Sequence, residues 1–454
     1  MAWLILGTAA LRVAFAAATG LGIDESYMVV AGRGPLQLGY FDHPLLSWWM
    51  ARLVADATGS EAAVLVRLPF IAIFAVSTWM MSKLAPTPQA GLWAAVAFNL
   101  APVFGVTAAA WVLPDGPLIC ALLGMALCLM RALPSRVWHW WIGAGLCAGL
   151  AMLSKYTAVL SIAGFGIYLL TDRTHRKWLL RPQPYAAAVI AAIVFLPAVI
   201  WNQQNNWASI AFQGGRASAT RIQPLGPIVT LAGEALFLLP WIWAGLMLAL
   251  WRGLQGEWRA KLLCWIALPP IVLFAVVSLW SRQVLFHWAA PGYLMLFPLL
   301  GSWLAERQWA PRAALATAAL VATVLIATAG EISFGWLPNN PLLQARTWSE
   351  LRPALLKYNL PIAAASWSDT GKVGIGLGPN IPVFCLNVDA RQFRFTTPPP
   401  TSGDLVIVAP RQTLAQMQTY YAANFAAIEA LPPVRVGNSE IAVFKGRGLI
   451  AWPR

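Results

Sequence analysis

Apolar residues run in long blocks over the first 330 positions, near 3–20, 62–83, 89–108, 114–131, 138–153, 156–171, 185–201, 226–250, 261–280, 288–304 and 312–330. Most approach the length a helix needs to cross a hydrocarbon core of about 30 Å. The pattern therefore predicts about eleven membrane-spanning helices, an all-α polytopic membrane region. Between the first two blocks, Leu45–Ala57 carries an amphipathic pattern and predicts a helix lying in the membrane interface.

From residue 331 the texture changes. Short apolar runs at Ile362–Ser366, Pro382–Leu386, Asp404–Ala409 and Ile441–Lys445 read as strands, and Thr413–Asn424 reads as a helix. Three consecutive prolines make Thr396–Ser402 a loop. The chain thus divides into a membrane domain, residues 1–330, and a small C-terminal α/β domain, residues 331–454.

Composition supports the pattern. Apolar residues make up 59% of the 454 positions and charged residues only 11%, against roughly 25% charged in an ordinary soluble domain. So few charges cannot cover the surface of a soluble enzyme, and so many apolar residues exclude disorder. The net charge of +14 invites a nucleic-acid partner, but no basic stripe or RNA-binding motif accompanies it.

The charge sorts by loop instead. Lys83, Arg131, Arg136, Arg173, Arg176, Lys177, Arg181, Arg252, Arg259, Lys261, Arg307 and Arg312 all fall in alternate, short connections. The positive-inside rule places these in the cytoplasm, with a cytoplasmic N-terminus and a periplasmic tail. Residues 2–20 resemble a signal peptide but lack a basic leader, and they read as an uncleaved first helix. Trp48, Trp49, Trp138, Trp140, Trp141, Trp201, Trp251, Trp280 and Trp288 sit at block ends, as an interfacial aromatic belt requires. The five cysteines form no CxxC pair and suggest neither a metal nor a redox role.

Polar residues gather in the outer connections. The first carries Asp24-Glu25-Ser26-Tyr27 and then Asp42-His43-Pro44; the next carries Asp115 between Pro114 and Gly116; a tight hairpin carries Lys155-Tyr156; the last two carry Arg216, Arg221, Arg282 and His287. Carboxylates can activate an acceptor hydroxyl or amine, while Lys and Arg can hold a phosphate leaving group. The combination points to transfer of a group from a phosphorylated donor.

Each residue also has a plainer reading. Asp24 and Glu25 suit a solvated helix end, Asp115 a turn, Lys155 a snorkelling position, and His43 and His287 the interface. Asp42 with His43 makes a weak divalent-cation pair. Glu234 lies inside an apolar block, where an acid is functional by default.

The order of motifs resembles glycosyltransferase family 39 in the broad sense, the GT-C membrane enzymes related to protein O-mannosyltransferases and the lipid A aminoarabinose transferase. The resemblance rests on DESY at 24–27, LGYFDHP at 38–44, RLP at 67–69, LPDGPL at 113–118, LSKYTAVL at 153–160, WNQQNNWASIAFQ at 201–213, HWAAPGYL at 287–294 and VFCLN at 383–387. It implies a GT-C fold and an inverting transfer from a polyprenyl-phosphate-linked sugar, on the periplasmic side of the bacterial inner membrane. The acceptor would be lipid A, another glycan or protein.

By similarity, Asp24 is the general base and Asp115 assists or orients it. Glu25, Tyr27, Asp42, His43, Lys155, Tyr156, Arg216, Arg282 and His287 would bind donor phosphate or substrate. In the aminoarabinose transferases a Glu-Lys pair stands where this chain has Asp42-His43. No metal is implied as obligatory, since cationic side chains can serve a single leaving phosphate, although a divalent cation remains an option. The rival readings are a transporter or flippase of lipid-linked substrates and a non-catalytic membrane assembly protein.

Overall fold

The computed structural model describes every residue except 219, 220, 282, 338, 339 and 454. The described residues fall into two compact units whose segments alternate along the chain. One comprises 1–12, 37–47 and 68–322, the other 13–36, 48–67 and 323–454.

The chain begins with helices α1 (Ala2–Ala18), α2 (Ile23–Ala31), α3 (Leu46–Thr58), α4 (Ala63–Leu84) and α5 (Pro88–Leu100). A π-helical turn over Val103–Ala108 precedes α6 (Asp115–Ser135), α7 (Trp138–Ser154), α8 (Ala158–Thr171), α9 (Pro182–Gln204) and α10 (Ala208–Gly215). Then come α11 (Gly226–Leu238), α12 (Pro240–Gln255), α13 (Trp258–Val277), α14 (Ala290–Leu294), α15 (Phe297–Ala305) and α16 (Ala310–Phe334).

Among the described residues, α4, α6, α9, α13 and α16 are long and apolar enough to cross a membrane. Two further pairs qualify only as bent spans: α1 with α2, bent by 78°, and α11 with α12, bent by 111°. By length and apolarity this gives five to seven spans, where block counting predicts about eleven. The block 226–250 illustrates the difference. Leu239 takes φ 72°, and Pro240 cannot donate to the preceding turn, so one apolar run becomes two helices. Residues 21–61 hold the expected α3 and, in addition, the short helix α2. Helices α9 and α16 leave most of their apolar surface uncovered by protein, as lipid-facing helices do.

Within the first unit, small residues set the packing. Gly145 and Gly149 of α7 lie against Ala187 and Val194 of α9, and Gly164 of α8 lies against the backbone of Trp265 and Ile266 in α13. Such contacts let helix backbones approach where lipid supplies no hydrophobic drive.

The second unit contains α17 (Leu351–Leu356), β1 (Ile362–Ala364), α18 (Trp367–Leu377), β2 (Val383–Cys385), α19 (Phe393–Thr396), β3 (Leu405–Val408), α20 (Leu414–Tyr420), β4 (Phe425–Val436) and β5 (Ser439–Leu449). Its sheet runs β2-β1-β3-β5-β4. The first three strands are parallel, and β5 and β4 are added antiparallel. Alternate residues supply two faces: Ile362, Ala364, Val406 and Val408 pack with Trp348 and Val373, while Ala363, Leu405 and Ile407 pack with Met417 and Tyr421.

The expected strands are present as β1, β2, β3 and part of β5, and α20 occupies the expected helical stretch. Strand β4 and helix α18 are not evident from the apolar pattern. In β4, Pro432 and Pro433 fall at a register shift between Leu431 and Val434. Prolines are tolerated there because β4 is an edge strand.

Candidate active site

In the first unit, five of the expected site residues share one neighbourhood. Asp115 opens α6 behind Pro114, in the first turn where a carboxylate meets the positive end of the helix dipole. Lys155 ends α7 in extended backbone, φ −154° and ψ 132°, and is followed by the short turn into α8. Its Nζ donates to Asp115 Oδ1 at 3.0 Å, with the two side chains 7% and 16% exposed. His43 and His287 also act electrostatically on Asp115.

His287 in turn faces Lys155, Asp115 and Arg216. Burial, then the charge of Lys155, holds its imidazole down to about 4, with Asp115 opposing and Arg216 adding to the fall. His287 is therefore neutral at pH 7 and can donate or accept one hydrogen bond. The Arg216 guanidinium stacks 4.4 Å from the ring centre of Trp288, and its carbonyl accepts from Ser281 Oγ at 2.8 Å. Arg282, another candidate, lies outside the described residues.

Tyr156 is held beside this cluster by a clamp built from the 201–213 motif. Asn206 and Trp207 both adopt positive φ, 54° and 57°, which turns α10 back along the end of α9. Asn202 Nδ2 donates to the Tyr156 hydroxyl at 3.1 Å, and Ser209 Oγ lies 2.8 Å from it. Asn202 Oδ1 also accepts from the Ile210 amide at 3.2 Å. The same motif reaches the first outer connection. Trp201 Nε1 donates to Gln37 Oε1 at 3.0 Å, and Gln213 Nε2 donates to the carbonyl of Asp42. Asp42 is buried and His43 half-buried. Asn202, Ser209 and Gln213 are thus supporting residues that the motif contained but that no residue-type argument selected.

The second unit holds the remaining candidates. Asp24 is exposed in the first turn of α2. Glu25, one residue on, is buried: Arg67 Nε donates to its Oε1 at 2.8 Å and Arg67 Nη2 to its Oε2 at 2.6 Å. Glu25 Oε2 also accepts from the Gly22 amide at 2.7 Å, closing the start of the helix. Tyr27 is buried too. Its hydroxyl accepts from the Gln392 amide at 2.9 Å, and its ring meets Trp48, Trp367 and Phe393 at 5.5, 5.1 and 5.7 Å. These contacts give Glu25 and Tyr27 duties within the protein itself. Arg67, whose partner is 42 positions away, was visible beforehand only as part of RLP.

Among the described residues, no group of three or more His, Cys, Asp or Glu side chains is placed to hold a metal ion. At Asp115 the carboxylate is turned to an ammonium, a donor set suited to an anion beside it more than to a divalent cation.

A family model described as dolichyl-phosphate-mannose-protein mannosyltransferase matches residues 42–201, the stretch that carries His43, Asp115, Lys155 and Tyr156. The chain is similar to the lipid A galacturonosyltransferase RgtD of Rhizobium johnstonii, 24% identical over 316 residues. That match covers 64% of this chain and 62% of the relative's length. The crystal structure of ArnT from Cupriavidus metallidurans in the apo state superposes with TM-score 0.69 at 13% identity, over 97% of both chains. The chain has the fold of ArnT. The form of ArnT bound to undecaprenyl phosphate gives TM-score 0.68 at 15% identity, again over 97% of each chain. The polar cluster at the head of α6 thus belongs to a multi-pass membrane protein with a small C-terminal sheet.

Proposed function

We propose that this chain is an inverting glycosyltransferase that moves a sugar from a polyprenyl-phosphate donor to an acceptor on the periplasmic side of the bacterial inner membrane. The observation that carries the reading is the Asp115–Lys155 pair at 3.0 Å with His43, His287 and Arg216 around it. A lipid-linked donor suits the setting, because its isoprenoid stays in the bilayer while its phosphate meets the cations. The activity for which the relative is named, lipid A galacturonosyl transfer, and the undecaprenyl phosphate bound to ArnT support this choice of chemistry.

In the proposed reaction an acceptor hydroxyl or amine attacks the anomeric carbon. The bond from that carbon to the phosphate oxygen breaks, and the oxygen keeps the electron pair. A single displacement inverts the anomeric centre. Lys155 and Arg216 stabilise the charge that grows on the phosphate, a role a metal plays elsewhere. Asp115 holds the Lys155 ammonium in place. Neutral His287 offers a hydrogen bond to phosphate or sugar, and His43 lines the same site. Tyr156, fixed by Asn202 and Ser209, shapes the same region. Asp24 is assigned the acceptor's proton on the strength of the motif resemblance and its exposed position at the start of α2.

The test is turnover by purified protein in lipid, with undecaprenyl-phosphate-linked galacturonate, mannose or aminoarabinose as donor and lipid A as acceptor. Mass spectrometry should show one donor consumed, undecaprenyl phosphate released and one sugar mass gained. Full rates in both Asp24→Asn and Lys155→Gln variants would overturn the mechanism.

A further inference from the structure

We propose that Lys372, on helix α18 of the C-terminal α/β region, is a positioning residue for Asp24. The inference rests on the assignment of Asp24 as the proton acceptor and gives the C-terminal region a part in the reaction.

The chain bends by 78° between α1 and α2. A bend at a helix end leaves carbonyls without intrahelical partners, and buried carbonyls need donors. Two cations supply them to three successive residues. Arg67 Nη1 lies 3.3 Å from Thr19 O, and Arg67 Nη2 lies 2.8 Å from Gly20 O. Lys372 Nζ donates to Leu21 O at 2.8 Å and to Arg346 O at 2.8 Å. Leu21 immediately precedes Gly22, which caps α2, and Asp24 is the second residue of that helix. The backbone that leads into Asp24 is therefore held by Arg67 of α4 and by Lys372 of α18.

The fit between α18 and α2 is close enough to make this grip stiff. A Cβ on Gly371 would come within 2.6 Å of the Tyr27 amide nitrogen, and one on Gly374 within 2.5 Å of Val30 Cγ1. Lys372 is fully buried, with its ammonium 5.7 Å from the centre of the Trp348 ring. An apolar residue would fill this space without the cost of burying an ammonium. What only a long donor provides is the hold on Leu21 and Arg346. Burial pushes the Lys372 ammonium down to about 7, with Glu25 opposing and Arg67 adding. A neutral amine still carries two N–H donors, one for each carbonyl, so the hold survives titration.

The experiment compares wild type, Lys372→Met and Lys372→Gln by thermal unfolding, by hydrogen exchange of amides 22–27, and by turnover of whichever lipid-linked donor wild type consumes. Lys372→Met should exchange the first turn of α2 about tenfold faster, as a local opening made easier. Its kcat should fall about tenfold to a hundredfold with KM for the donor within about twofold, the pattern of a misplaced reacting group. Lys372→Gln, which keeps a donor, should recover part of the kcat, and it carries the test if Lys372→Met does not fold. A folded variant with unchanged exchange overturns the inference, and so does faster exchange with kcat intact. If wild type consumes no donor, the function proposal fails and this inference falls with it, while the exchange arm still reports whether Lys372 holds α2.

Discussion

At the start of α2, each buried charge meets partners at hydrogen-bond distance: Glu25 has Arg67 and the Gly22 amide, and Lys372 has two carbonyls. At the head of α6 the arrangement is different. Lys155 Nζ donates to Asp115 Oδ1 at 3.0 Å, and Arg216, His43 and His287 stand within electrostatic reach of this set. The contrast separates two uses of charge in one molecule. A saturated ionic network fixes backbone, because removing any member strands a buried group. A cluster that gathers cationic side chains attracts an anion that arrives from outside.

The largest expected effect tests the chemistry. Asp24→Asn and Asp115→Asn should each lower turnover by about 10²- to 10⁴-fold, the usual scale for losing an acid–base group or its orienting partner. Unfolding temperature should stay near wild type for Asp24→Asn, since that side chain is exposed. A near-normal rate in the Asp24 variant would transfer the base role elsewhere.

Next in size is the structural network. Arg67→Met leaves Glu25 buried without its cation and should cost about 3–5 kcal/mol of stability, read from thermal unfolding in detergent. Lys155→Met should combine a smaller stability cost with a loss of binding. It strands the part-buried Asp115 carboxylate, so its unfolding temperature should fall, by less than in Arg67→Met because Asp115 is 16% exposed, while affinity for undecaprenyl phosphate falls about tenfold to a hundredfold, the worth of one charge-assisted hydrogen bond. Equal stability losses for the two variants would erase the distinction drawn above.

His287 supplies a pH signature. Its folded value of about 4 lies below the ordinary 6.5, so the unfolded chain binds a proton in a range where the folded chain does not. Its contribution to stability is complete above about pH 6.5 and is lost as pH falls towards 4. Thermal unfolding measured from pH 7 to 4 should show this slope, and His287→Gln should flatten it.

The smallest effect concerns the rival transporter reading. Glu234 lies inside the first unit, where Tyr293 donates to its Oε2 at 2.6 Å and Trp243 Nε1 donates to the Tyr293 hydroxyl at 3.0 Å. Gln at this position can still accept that bond, so Glu234→Gln should change stability by less than about 1 kcal/mol and leave sugar transfer near wild type. Abolished activity with an intact fold would favour ion-coupled transport.

Much of this architecture was legible because it follows local rules. Apolar blocks announce membrane helices, the Leu45–Ala57 pattern yields α3, and short apolar runs yield β1, β2 and β3. What escaped is what tertiary packing overrides. Helix α18 contains Gly371, Gly374 and Gly376, poor helix formers, yet glycines at 371 and 374 let it lie against α2. The bend at Leu239-Pro240 divides a run whose apolarity is continuous. Among site residues, Asp115, Lys155, His43, His287 and Arg216 were selected from loop position and charge. The structure brings those five into electrostatic reach of one another in a connected set.

The sequence by itself determined the solvent in which this protein lives. Few charges and long apolar blocks dictate a membrane fold whatever the details of packing, and the order of short motifs identifies the family it resembles. Only the tertiary structure decided which charges are partners. Lys155 meets Asp115 across 40 positions, Arg67 meets Glu25 across 42, and Lys372 meets Leu21 across 351. A polar atom removed from water must find its complement wherever the fold supplies one. That requirement acts through space, so spacing along the chain could not reveal that Glu25 secures the backbone while its neighbour Asp24 stays exposed.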